Sequence, residues 1–114
     1  MKPKLSEKDI QRQVLDYLAI KRLFHWRNNT GMIFSEYKGK KRAFKMGQVG
    51  SPDIFIVILG QIIGLEIKSP KGKQSENQIE WQKAFEKAGG KYHLIYSVEE
   101  LQNIISVYET YVKT

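Results

Sequence analysis

The sequence has no cysteine, which removes disulfide scaffolds, zinc fingers, iron–sulfur clusters and thiol nucleophiles in one step. A disulfide-stapled extracellular mini-fold goes with them, and a cytoplasmic, intracellular setting is the expectation. Long hydrophobic runs are also missing. The most apolar stretch, Ile54 to Leu65, is broken by Gly60-Gln61 and bounded by Asp53 and Glu66, well short of the ~20 residues a membrane helix needs. It reads as core, so no membrane partner is expected. Met1-Lys2-Pro3-Lys4-Leu5 leads into charge instead of an apolar signal region, and no secretory segment is visible. Repeats, low-complexity tracts and linkers are absent too, so residues 1–114 are read as a single domain with one core. A Gly-x-Ser-x-Gly elbow and a Gly-x-x-x-x-Gly-Lys-Ser/Thr loop are both lacking. Gly72-Lys73-Gln74 imitates only the end of the latter, which excludes nucleotide hydrolysis of that type.

Acid is scarce in one place. Residues 21–50 hold eight basic residues (Lys21, Arg22, Arg27, Lys38, Lys40, Lys41, Arg42, Lys45) and one acid, Glu36. The whole formal charge of +7 therefore belongs to that stretch, the remainder being balanced. Five of the eight lie between Lys38 and Lys45, flanked by Tyr37 and Phe44. That arrangement suits a loop or ribbon that touches phosphates while aromatics stack or anchor it. A solvated charged loop is the plainer reading, and the neutrality of everything else favours binding.

Helical spacing of Ile10, Val14, Tyr17 and Leu18 behind the capping run Ser6-Glu7-Lys8-Asp9 predicts a helix from about Ser6 to Lys21. Leu23 to Asn28 and Met32 to Phe34 read as two short strands around an Asn28-to-Gly31 turn. Gly47 to Pro52 is loop chemistry delivering Asp53 to a strand, Ile54 to Leu59. A type II′ turn at Gly60-Gln61 then returns Ile62 to Lys68 as the second arm of a hairpin. A helix opens at Ser75 with Gln78 in its capping box, carries Ile79, Gln82, Phe85 and Ala88, and closes at Gly89-Gly90. A strand from Lys91 to Ser97 follows, and a last helix bears Leu101, Ile104, Ile105, Tyr108 and Val112. The fold class is α/β.

The hairpin carries the chemistry. That turn pairs Leu59 with Ile62, setting Lys68 opposite Asp53 and Glu66 opposite Phe55. Asp53, Glu66 and Lys68 then share a face, the two acids on a diagonal of roughly 7–8 Å. Two carboxylates at that separation can ligate a hard divalent cation such as Mg²⁺ or Mn²⁺. Phosphodiester hydrolysis needs a Lewis acid, an activated water and a cation for developing charge, which the metal and Lys68 can supply. Each acid alone is ordinary turn or edge-strand chemistry. Together, at the mouth of the most apolar hairpin, they are costly unless something offsets them. Glu7 extends the inward stripe of the first helix toward this edge, although an acid in a first turn also complements the helix dipole. Gln78 can act as a cap or orient water at the site. His25 and His93 could form a metal-free ribonuclease pair, but share no motif.

Glu7-x-x-Ile10, Arg27-x-Asn29-x-Gly31, Gly50-x-Pro52-Asp53, Glu66-x-Lys68, Gln78 and Gly89-Gly90 together resemble, in order and rough spacing, the VRR-Nuc (virus-type replication-repair nuclease) branch of the PD-(D/E)XK superfamily. The likeness runs from Glu7 to about Leu101. It implies a restriction-endonuclease-like mixed β-sheet core flanked by α-helices, and a metal-dependent DNA endonuclease. In that reading Asp53, Glu66 and Glu7 hold Mg²⁺ or Mn²⁺, Lys68 is the catalytic lysine and Gln78 helps position the site. It also implies branched DNA, such as Holliday junctions, as substrate and a homodimer as the working form. Arg27, Asn29, Lys38, Lys40, Lys41, Arg42, Lys45, Lys71 and Lys73 are the expected DNA contacts. The alternative is a non-catalytic nucleic-acid-binding or junction-recognition module with a vestigial site.

Overall fold

The Ser6 hydroxyl accepts the Asp9 backbone N–H while the Asp9 carboxylate accepts that of Ser6, and this reciprocal cap starts α1 (Glu7–Ile20). The computed structural model describes residues 5–28, 32–45 and 48–112, excluding the side chains of residues 32–35, 37, 42–45, 111 and 112. After α1 come β1 (Phe24–Arg27), β2 (Met32–Tyr37), β3 (Lys40–Lys45), β4 (Ile54–Ile58), β5 (Gln61–Ile67), α2 (Glu76–Lys87), β6 (Lys91–Ile95) and α3 (Val98–Val112).

Four strands form one mixed sheet in the order β1-β4-β5-β6. β1 and β5 run antiparallel to β4, while β6 runs parallel to β5, with α2 as the crossover. The period of two then sorts the side chains. Ile54, Ile56 and Ile58 of β4, with Ile63, Leu65 and Ile67 of β5, meet Ile10, Val14 and Leu18 of α1 and Leu101 and Ile105 of α3 in one buried cluster. Each such side chain contributes roughly 1.5–3 kcal/mol by leaving water. An ion pair between Lys21 and Glu109 ties the end of α1 to α3.

The other sheet face is aromatic. Phe55 stacks on Trp26 with ring centroids 5.1 Å apart and meets Trp81 and Phe85 of α2 at 6.0 and 5.9 Å. Gly64 lies opposite Phe55 on β5, and a Cβ there would come within 2.8 Å of Pro52 Cγ. The missing side chain makes room for both rings.

Two expectations are corrected here. The hairpin turns at Leu59-Gly60, not Gly60-Gln61, because Ile58 pairs with Gln61. Both central residues have positive φ, 50° and 84°, as a type I′ turn requires and a type II′ turn does not. β1 and β2 do not pair with each other across the Asn28-to-Gly31 stretch. β1 joins β4, and β2 pairs with β3 in a separate two-stranded sheet. Residues 29–31 lie outside the described part of the chain.

Candidate metal centre and nucleic-acid interface

The two-residue difference in register leaves every side chain on its expected face, since the period is two. Distance is what changes. With Ile54 paired to Leu65, the next step sets Asp53 directly opposite Glu66 instead of on a diagonal, and neither Lys68 opposite Asp53 nor Glu66 opposite Phe55 holds.

A clamp at the head of β4 fixes Asp53. The Asn28 backbone N–H donates to the Asp53 carbonyl at 2.7 Å, and the Asn28 side-chain amide donates to Ser51 Oγ at 2.8 Å and the Pro52 carbonyl at 2.9 Å. The same loop presses on α2. Gly50 has φ +86°, and a Cβ on it would stand 2.3 Å from the Asn77 carbonyl oxygen, so no larger residue fits. Trp81 Nε1 donates to Gln48 Oε1 at 2.7 Å across the same junction.

Asp53 Oδ2 accepts the Ile67 backbone N–H at 2.8 Å. Glu66 is buried at 4% exposure. Its Oε1 accepts Gln78 Nε2 at 3.1 Å and lies 4.0 Å from Lys68 Nζ, while its Oε2 is buried without a hydrogen-bond partner. Gln78 caps α2 and also touches the acid: its Oε1 accepts the Ser75 N–H at 2.9 Å while its amide nitrogen donates to Glu66. Burial first, then the Asp53 charge, push Glu66 up to about 8. Asp53 is also raised, burial again leading and the Ile67 N–H opposing. Near neutral pH the bare pair therefore holds a proton.

Those observations fit a divalent cation. Two acceptors held together, the buried Glu66 Oε2 with no donor group near it and the Asp53 carboxylate, are what a cation would satisfy by displacing the proton the bare pair holds. Mg²⁺ and Mn²⁺ accept one or two carboxylates and keep waters in their other positions. Glu7 is exposed at the start of α1 instead of turned inward, yet its charge raises both acids, so it lies within electrostatic reach of the pair. Among the described residues no three His, Cys, Asp or Glu side chains form a metal-holding group.

The expected DNA contacts divide into three places. Lys38, Lys40 and Lys41 are exposed on the β2–β3 hairpin, with Arg42 and Lys45 on the same strand as Lys40 and Lys41. The side chains of those last two, and the whole of Asn29, lie outside the described residues. Lys71 and Lys73 are exposed in the loop after Lys68. Arg27 ends β1 and lines a shallow hollow of about 250 Å³ with Lys8, Arg12 and Asp16 of α1. Lys8 and Arg12 carry no motif and only the docking of α1 beside β1 reveals them. Asn28, which the sequence offers only as turn chemistry, is the other residue missed. The histidine pair does not form: His25 on β1 and His93 on β6 are separated by β4 and β5. His25 Nδ1 is 2.7 Å from the Leu23 carbonyl and His93 Nε2 is 2.8 Å from Tyr108 Oη.

With the sheet order and the site in place, solved structures can be compared. The chain matches a structure described as a VRR_NUC domain with a TM-score of 0.61 at 16% identity, over 90% of this chain and 97% of that one. This is the VRR_NUC fold. No protein-family model and no curated protein matches the sequence. The VRR_NUC likeness therefore rests on the mixed four-stranded sheet and its flanking helices, the architecture the motif resemblance implies. No helix among the described residues is long and apolar enough to cross a membrane.

Proposed function

We propose that this chain is a metal-dependent endonuclease that hydrolyses DNA phosphodiester bonds, with branched DNA as its preferred substrate. The observation carrying the proposal is the facing pair Asp53 and Glu66, with a partnerless buried oxygen, Lys68 4.0 Å away and Gln78 holding the second acid. The VRR_NUC name of the matched structure agrees with it.

Hydrolysis joins a water oxygen to phosphorus, breaks one P–O bond and leaves an alkoxide that takes up a proton. A divalent cation held by Asp53 and Glu66 would supply Lewis-acid polarisation and a water nucleophilic near neutral pH. The chain's own groups do the rest. Lys68, only 12% exposed at its side chain, places a fixed cation where negative charge develops on the phosphoryl oxygens. Gln78 fixes the Glu66 carboxylate against rotation, and α2 fixes Gln78 through the cap. Exposed lysines on the β2–β3 hairpin and in the loop after Lys68 hold backbone phosphates without reading bases, which suits recognition of DNA shape. Cutting both strands of a junction takes two such sites, hence a homodimer, which sedimentation at micromolar concentration would detect.

The test is incubation with labelled four-way junction, flap and linear duplex in Mg²⁺ or Mn²⁺, beside Glu66→Ala and a chelator control. Cleavage lost in both controls, and faster on branched substrates, is expected. Tight metal-independent junction binding with no cutting would make the chain a recognition module with a vestigial site. Equal cutting of duplex and junction would overturn the branched-DNA preference.

A further inference from the structure

β1 is an outer strand of the sheet, and among the described residues no strand pairs with its other side. Its residues alternate between two kinds of surface. Phe24 and Trp26 turn to the aromatic face, Phe24 69% and Trp26 40% exposed, their rings in edge contact at 6.1 Å. Ile20, Leu59 and Val107 are exposed as well, but Phe24 and Trp26 are two aromatics side by side at a sheet edge, and each leaves a π-surface facing water. Arg27, one residue on, turns to the opposite face, where it lines the hollow with Lys8 and Arg12. That hollow gathers three cations against one acid, Asp16; Arg12 also has an exposed pairing with Asp9 at 3.6 Å.

The aromatic surface shares the metal pair's face of the sheet, and Arg27, on the other face, is one residue from Asn28. Trp26 pairs with Phe55 in β4, and Asn28 bonds to Asp53. Trp26 is thus one strand over and one pleat repeat, roughly 7 Å, from the level of Asp53. An unpaired nucleotide strand has the matching chemistry: bases with faces to stack, and phosphates to neutralise, alternating along one chain. A blunt duplex keeps its base faces covered by neighbouring bases and can use only the cations.

Resting on the nuclease reading above, we propose that the outer edge of β1 is a track for an unpaired DNA strand next to the scissile phosphate. Phe24 and Trp26 stack its bases, and Lys8, Arg12 and Arg27 hold its phosphates. The substrate class is then branched DNA with a single-stranded arm, such as a flap or splayed end, ahead of a fully paired four-way junction.

The test uses full-length protein and oligo-dT, blunt duplex and a flap, in chelator so that no cutting occurs. Trp81→Phe leaves Trp26 as the sole tryptophan, and its emission should be quenched by oligo-dT and not by duplex. Phe24→Ala, at an exposed position that is safe for folding, should weaken oligo-dT and flap binding about tenfold and duplex binding less than twofold, following the usual worth of one base–aromatic stack. Lys8→Ala with Arg12→Ala should weaken all three substrates and lower the salt slope by about two. Unquenched Trp26 together with unchanged oligo-dT affinity in Phe24→Ala would overturn the track. Cleavage of the flap in Mg²⁺, lost in Glu66→Ala, is read separately. If cleavage passes and quenching fails, only the track falls; if quenching passes and cleavage fails, the nuclease reading falls and the edge remains a strand-binding surface.

Discussion

Two hairpins in this chain are built on the same turn and have opposite fates. β2–β3 turns at Lys38-Gly39 with φ of 51° and 75°, and β4–β5 turns at Leu59-Gly60 with φ of 50° and 84°. Each has a left-handed non-glycine followed by a left-handed glycine, so the local geometry is nearly identical. What differs is the flanks. β4 and β5 carry isoleucines and leucine on the face packed against α1 and α3, and β1 and β6 complete their pairing. β3 carries Lys40, Lys41, Arg42 and Lys45, and among the described residues its hairpin joins no other strand. Turn chemistry decides that a hairpin forms; the flanks decide whether it becomes scaffold or, in the function proposed above, contact surface.

The sharpest way to break the comparison is a cavity in one hairpin and not the other. Ile56 is fully buried in β4, so Ile56→Ala should cost about 3–4 kcal/mol in denaturant unfolding. Lys41→Ala on β3, exposed, should cost less than about 0.5 kcal/mol. Similar losses would mean that the β2–β3 hairpin is integral to the folded core.

Next in size is the charge that the buried hairpin carries. Glu66 has a folded value near 8 against an ordinary value near 4.5. The folded state therefore binds more protons than the unfolded one between those limits. Stability is greatest at the acid end of this window and falls as pH rises through it. Glu66→Gln, neutral at every pH, should leave metal-free protein more stable than the parent at pH 8 by on the order of 2–3 kcal/mol, and nearly equal to it near pH 4.5. The same proton predicts tighter Mn²⁺ binding as pH rises toward 8 in calorimetry. A pH-independent difference in melting temperature would sink this account of the pair.

How far the sequence reached follows from the same physics. The faces of Asp53, Glu66 and Lys68 were legible because a side-chain period of two survives a two-residue slip. Their spacing was not, because Leu-Gly-Gln accepts either a I′ or a II′ turn and only the covering helices choose. Gln78 was readable as a cap, which it is, and its amide also bonds Glu66. Glu7 followed the helical stripe on paper, and the structure leaves it exposed at the start of α1 while its charge still reaches both acids. The partner of β1 was beyond local reasoning, since β4 lies across the basic hairpin in the chain. The cations at Lys8 and Arg12 escaped for the same reason, as they meet Arg27 only after α1 docks.

A smaller effect tests the turns themselves. A Cβ at Gly60 or at Gly39 meets nothing within 4 Å, so alanine at either place costs only the left-handed backbone penalty, about 1 kcal/mol. At Gly60 that cost should appear as a lower melting temperature, by several degrees for a domain of this size. At Gly39 it should not, because opening the β2–β3 hairpin is a local event that need not unfold the sheet. Faster amide exchange confined to β2 and β3 is the expected signature.

The finest distinction lies inside the basic hairpin. Lys41 faces Glu36 across the strands, whereas Lys40 faces Tyr37. A phosphate approaching Lys41 meets a cation that the opposite Glu36 partly offsets, and one approaching Lys40 meets a cation with no acid opposite it in the register. Lys40→Ala should therefore weaken duplex binding more than Lys41→Ala, by a factor of about two to three, with each lowering the salt slope by about one. Glu36→Gln should tighten binding by a similar factor without moving the melting temperature. If the two lysine variants bind alike and Glu36→Gln is silent, the cross-strand register of this hairpin does not govern how it meets DNA.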